Sequence, residues 1–142
     1  MTVVVHTGTA WVLFFAGLIF LWALVLGVWK WQAMTTSPDG LAHPYVDIAH
    51  RAALLYAFAT GLIAVFVELS GWPSAVNFGA AAVIVLLFVV TIANYIRLGL
   101  QRETDNQMRN PPPSMRFVLA ALIIGEIGGF SVLLVGFAVE QL

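Results

Sequence analysis

The chain has 142 residues, of which 61% are hydrophobic and only 9% charged, against roughly a quarter charged in soluble domains; no water-soluble fold of this size hides so much apolar surface. Six Lys and Arg stand against seven Asp and Glu, for a formal net charge of −1, which excludes the basic surface that a nucleic acid partner requires. Cysteine is absent, and with it go disulfides, thiol redox chemistry, thiolate metal sites and the cysteine-dependent four-helix quinone oxidoreductases.

Crossing a bilayer as a helix takes about 20 apolar residues at 1.5 Å of rise each. Four segments meet that length: Gly8 to Trp29, Val46 to Leu69, Ala75 to Ile96 and Phe117 to Val139. They predict an all-α, up-down bundle of four transmembrane helices, forming a single domain over residues 1–142. The first span carries Trp11 at one end and Trp29 and Trp31 at the other, where amphipathic rings settle at headgroup level. It has no Lys or Arg before Lys30 and is too long for a cleavable signal, so it reads as a retained span.

The run Thr35-Thr36-Ser37-Pro38-Asp39-Gly40, followed by His43-Pro44, is a cluster of turn formers and predicts a polar loop. Spans two and three are joined only by Gly71-Trp72-Pro73-Ser74, which predicts a tight antiparallel hairpin. After span three, the polar run Gln101 to Gln107 is expected to extend the helix into solvent until Pro111-Pro112-Pro113 ends it. Lys30, Arg51, Arg97, Arg102, Arg109 and Arg116 all fall on the side of the first and third loops. Because cytoplasmic loops are enriched in Lys and Arg, this places those loops in the cytoplasm and both termini on the opposite side of an inner (plasma) membrane.

Polar side chains inside spans are costly and therefore candidates for function. On span two, Asp47, His50, Leu54, Ala57, Gly61, Ala64 and Glu68 share one face at helical spacing, a stripe small enough for close approach of a helix or a flat cofactor. His50 is either a structural residue, bonded to Asp47 or a loop carbonyl, or a ligand. Asn94 and Tyr95 return to the same membrane side, where Arg51 and Arg97 also lie. Imidazole, guanidinium groups and small residues at one depth are what haem requires: a ligand for iron, partners for propionates and room for the ring. The plainer alternative makes Tyr95 part of the aromatic belt and the arginines orientation signals. Glu126 lies about ten residues into span four and needs a partner; Gly125, Gly128, Gly129 and Ser131 around it predict a close helix contact. Glycine-rich phosphate loops, HExxH spacings and nucleophile elbows are missing from the sequence.

The order of these features resembles the small membrane isomerases that include styrene oxide isomerase and hydroxylaminobenzene mutase. In that group the second span opens with an Ala-His pair and the third carries an Ala-Asn pair. Here these read Ala49-His50 in IAHRAALLYAFATGL and Ala93-Asn94 in TIANYIRLGL. The resemblance implies a homo-oligomer, a trimer, with haem b held by His50 and its iron acting as a Lewis acid on a small apolar oxygenated substrate such as an epoxide. It carries the span-three asparagine over to Asn94. Two departures stand out: Tyr56 occupies the position, six residues after the histidine, where the family places Asn, and Leu98 replaces a tyrosine four residues after Asn94. The expected site is therefore His50 as metal ligand, Arg51 and Arg97 as propionate partners, and Asn94 with Tyr56 or Tyr95 orienting a substrate that enters from the lipid bilayer. The alternative is a non-catalytic accessory subunit of a larger membrane complex. A haem electron carrier would need His43, His6 or a second chain for the other imidazole.

Overall fold

The computed structural model describes residues 4–142, and among them the architecture is helical throughout, with four segments long and apolar enough to cross a membrane. Helix α1 spans Thr7–Thr35, α2 Pro44–Leu69 and α3 Ser74–Gln101. The fourth span is composite: α4 (Met115–Leu122) runs through a π-helical turn (Ile123–Ile127) into α5 (Gly128–Gln141). The helices overrun the predicted spans by a turn or so at several ends, because hydropathy marks only the hydrocarbon core and not the interfacial turns.

Local chemistry sets the boundaries. Pro44 occupies the first turn of α2, where a missing N–H costs nothing, and the preceding His43 accepts the Tyr45 N–H at 3.3 Å. Pro73 likewise precedes α3. The expected solvated extension of α3 is short: the helix stops at Gln101, and Arg102 turns into the left-handed region at φ 55°, its N–H closing on the Leu98 carbonyl at 3.0 Å. Residues 102–114 are irregular, so a helix end rather than the later prolines terminates the span.

In a bilayer, burial of apolar surface gives little reason for helices to associate, and contact depends on close packing. The interior of α2 accordingly reads Val46, Ala49, Ala53, Ala57, Thr60, Ala64 and Val67, while Leu55, Phe58, Leu62 and Val65 point outward. This inner face is rotated by about one residue from the stripe expected from the sequence, and Gly61 faces open space. One core cluster gathers Ile19, Ala23 and Leu26 of α1 with Ala49, Ala53 and Ala57 of α2 and Val85 and Ile92 of α3. A second joins Val12, Ile63, Val67, Ile84, Phe88 and Leu133.

The fourth span is attached unevenly. Only Leu133 and Gly136 of it are buried, both in α5. At the end where the termini and the α2–α3 turn meet, Gly71 N–H donates to Gly136 O at 3.1 Å, Trp72 Nε1 to Val132 O at 2.9 Å and Gln141 Nε2 to Leu69 O at 3.0 Å. At the opposite end, which carries all six basic residues and is called the basic end below, α4 stands away from α3.

Candidate functional site

The gap at the basic end is a cavity of about 780 Å³ between α3 and α4, roofed by the segment 102–114. Leu87, Val90, Val118 and Leu122 give it apolar walls, and Asn94, Tyr95, Arg97 and Gln107 give it a polar rim. A chamber of this size and character suits a small, mostly apolar molecule with one or two polar atoms.

The rim is tied together by amides. Asn94 Nδ2 donates to Gln107 Oε1 at 3.1 Å, Arg97 donates to Asn94 Oδ1 at 2.9 Å, and the Gln107 N–H donates to the Tyr45 hydroxyl at 2.6 Å. Tyr45 is itself buried, and its ring stacks between His43 (6.1 Å between centroids) and Tyr95 (6.0 Å). Tyr45 and Gln107 are site residues that the sequence did not mark out. Tyr45 sits in an ordinary interfacial position just after a proline, and Gln107 lies in a loop with no periodicity.

His50 belongs to a different seam. Its Nδ1 lies 2.9 Å from the Ala23 carbonyl oxygen of α1, and the ring rests on Gly27, whose missing Cβ would stand 3.0 Å from Cε1. A carbonyl oxygen only accepts, so Nδ1 carries the hydrogen and Nε2 keeps its lone pair. Nε2 has no hydrogen-bond partner among the described residues and is not sealed inside the bundle. The structural reading of His50 thus finds a partner in a helix carbonyl, not in Asp47. Asp47 instead pairs with Lys30 Nζ at 2.5 Å and with Arg51 at 3.2 Å, locking α1 to α2 at the basic end.

Tyr56 occupies a third place, in the centre of the bundle, where its ring lies flat on Phe88 at 4.1 Å between centroids and 6° between planes. The residues expected to form one site therefore divide. Asn94, Tyr95 and Arg97 share the cavity; His50 and Arg51 lie on the α1/α2 side; Tyr56, half-buried, packs against the core. No hydrogen bond joins His50 to Asn94 among the described residues.

For haem, the test is the donor set. An imidazole whose Nδ1–H is fixed by a backbone carbonyl is held as metal-ligating histidines are, and its Nε2 lone pair has no hydrogen-bond partner among the described residues, so His50 is the residue that would hold the iron. The two guanidinium groups are on the right membrane side but engaged, Arg51 with Asp47 and Arg97 with Asn94. Among the described residues no group of three or more His, Asp or Glu gathers as a metal site; a single histidine ligand is a different arrangement. Compared with protein families, curated proteins and solved structures, the chain matches none.

Proposed function

We propose that this chain is a haem b-binding membrane protein with isomerase-like chemistry on a small apolar oxygenated molecule, such as an epoxide, drawn from the bilayer. The observation that supports it best is the His50–Ala23 hydrogen bond. That bond fixes the tautomer with the hydrogen on Nδ1 and so leaves Nε2 as the nitrogen whose lone pair can take a metal.

Bound iron would supply Lewis-acid polarisation of the substrate oxygen. The chain's own residues do the rest. The cavity walls accept the apolar body of the substrate, while Asn94 Nδ2 and the Tyr95 hydroxyl can donate to its oxygen once Gln107 yields its place. Arg51 and Arg97 are the cations available to carboxylates at the headgroup boundary. Because His50 and the Asn94 cavity occupy different faces of one chain, this reading requires a homo-oligomer, a trimer by resemblance, that sets the α1/α2 seam of one copy against the α3/α4 side of the next. The basic end faces the cytoplasm in this reading.

The test is the visible spectrum of the detergent-purified protein, oxidised and then reduced with dithionite. A Soret band in the native protein that is lost in a correctly folded His50→Ala variant is expected. Full haem occupancy in His50→Ala overturns the assignment. No band after haem supplementation overturns it as well, and leaves an accessory subunit of a larger membrane complex as the better account.

A further inference from the structure

The fourth span carries the chain's deepest carboxyl. Glu126 lies within IIGEIGGF, and the backbone there is a π-helical turn over Ile123–Ile127. Such a turn replaces i→i+4 with i→i+5 bonding within the helix and is frequent at functional sites. On either side of Glu126, glycines bring the span hard against α3: a Cβ at Gly129 would stand 2.8 Å from Ile84 Cγ1 and 3.2 Å from the Ala80 carbonyl, and Gly125 faces Leu87 and Val83. The Glu126 side chain between them is half-buried. Its Oε1 is enclosed and has no hydrogen-bond partner among the described residues.

Helix rise places its surroundings. Glu126 is roughly 16 Å from the start of α4, and Tyr56 is roughly 18 Å from the start of α2, so the two share one layer near mid-membrane. Tyr56 on α2 and Tyr95 on α3 are the titratable groups within electrostatic reach of Glu126. The one titratable residue of α1, Lys30, is held by Asp47 at the basic end. Among the described residues no cation therefore faces the carboxyl. Burying a charge without a partner is strongly unfavourable, and a carboxyl so placed holds a proton instead. Tyr95 also lines the cavity, about a turn and a half nearer the basic end than this layer. In depth, Tyr95 thus falls between Glu126 and the basic end of the bundle.

We infer that Glu126 is an intramembrane proton site that exchanges with the basic-end cavity past Tyr95. The ligand is a proton, taken up and released at a glutamate carboxyl oxygen. The site does not depend on haem or on the chemistry proposed above.

Infrared spectroscopy of the full chain in lipid tests it. The native protein should show a protonated-carboxyl C=O band that is lost in Glu126→Gln, moves in Glu126→Asp, falls as pH rises from mildly acidic to mildly alkaline, and shifts in D2O. Tyr95→Phe should slow that deuterium shift severalfold while leaving the band in place. A native spectrum from which Glu126→Gln removes no such band across this pH range overturns the proposal. A band that ignores both pH and D2O also overturns it, since that carboxyl would be a fixed packing element. Exchange at native speed in Tyr95→Phe overturns the route past Tyr95.

Discussion

Asn94 and Gln107 meet amide to amide at 3.1 Å, and through this bond the segment between α3 and α4 is fastened to the rim of the cavity. The Gln107 oxygen occupies the acceptor position that a ligand's oxygen would take from Asn94. Removing it should both loosen the roof and free the Asn94 amide.

Gln107→Ala therefore predicts faster amide exchange across residues 102–114. One net hydrogen bond contributes about 1 kcal/mol, or roughly a fivefold change in the opening equilibrium. Exchange mass spectrometry in nanodiscs measures this directly. Unaltered exchange would mean that the Tyr45 bond to the Gln107 backbone, which the substitution leaves in place, carries the roof alone.

Gly27→Ala tests the His50 seam. The added methyl would stand 3.0 Å from His50 Cε1 and 3.3 Å from Nδ1, so the ring must move and the bond to Ala23 must lengthen. Overpacking of this kind costs about 1–3 kcal/mol. A lowered melting temperature in detergent is expected, and if haem is bound, a displaced Soret band with it. Native melting in Gly27→Ala would show that the seam has slack.

Two neighbouring glycines in α5 predict opposite outcomes. Gly129→Ala pushes a methyl against Ile84 and the unyielding Ala80 carbonyl, and should destabilise by about 1–3 kcal/mol. Gly128→Ala meets nothing within 4 Å and should be neutral or stabilise by about 0.5–1 kcal/mol through helix propensity. Parallel thermal melts decide it, and equal effects at both positions would contradict the contact described here.

In the loop after α1, Asp39 accepts hydrogen bonds from the Ser37 hydroxyl and the Leu41 N–H, the latter at 3.1 Å, and these hold its carboxyl below the usual carboxylate value. A lowered folded value contributes stability that is present above the unfolded value and is lost as pH falls through the folded one. Leu41 amide protection should therefore hold at neutral pH and fail on acidification. Ser37→Ala should move that failure toward higher pH. NMR titration of the Asp39 carboxyl reads both, and an identical titration in Ser37→Ala would dismiss the hydroxyl as the cause.

The number and placement of the spans were legible because length and apolarity are read residue by residue along the chain. Rotation was not. In a bilayer every face of a helix is apolar, so the contrast that fixes the inner face of a soluble helix is missing. The sequence offered Gly61 as part of a close-packed stripe, and it faces outward; Ala49 and Ala53, equally small, form the true inner face. The same ambiguity makes His50 and Asn94 look like partners at one depth when they occupy separate faces. Glu126 and its glycines were visible as an anomaly, but the π turn that carries Glu126 has no sequence signature.

The fourth span is fastened to the α2–α3 turn at one end and stands clear of α3 at the other. Its 27 residues extend about 40 Å, so a tilt of about 5° about the fastened end displaces the free end by roughly 3.5 Å. Cavity volume is then set by a single angle. Transmembrane helices adjust their tilt to the thickness of the hydrocarbon around them, which makes the lipid composition of the host membrane a determinant of how much space lies beside Asn94.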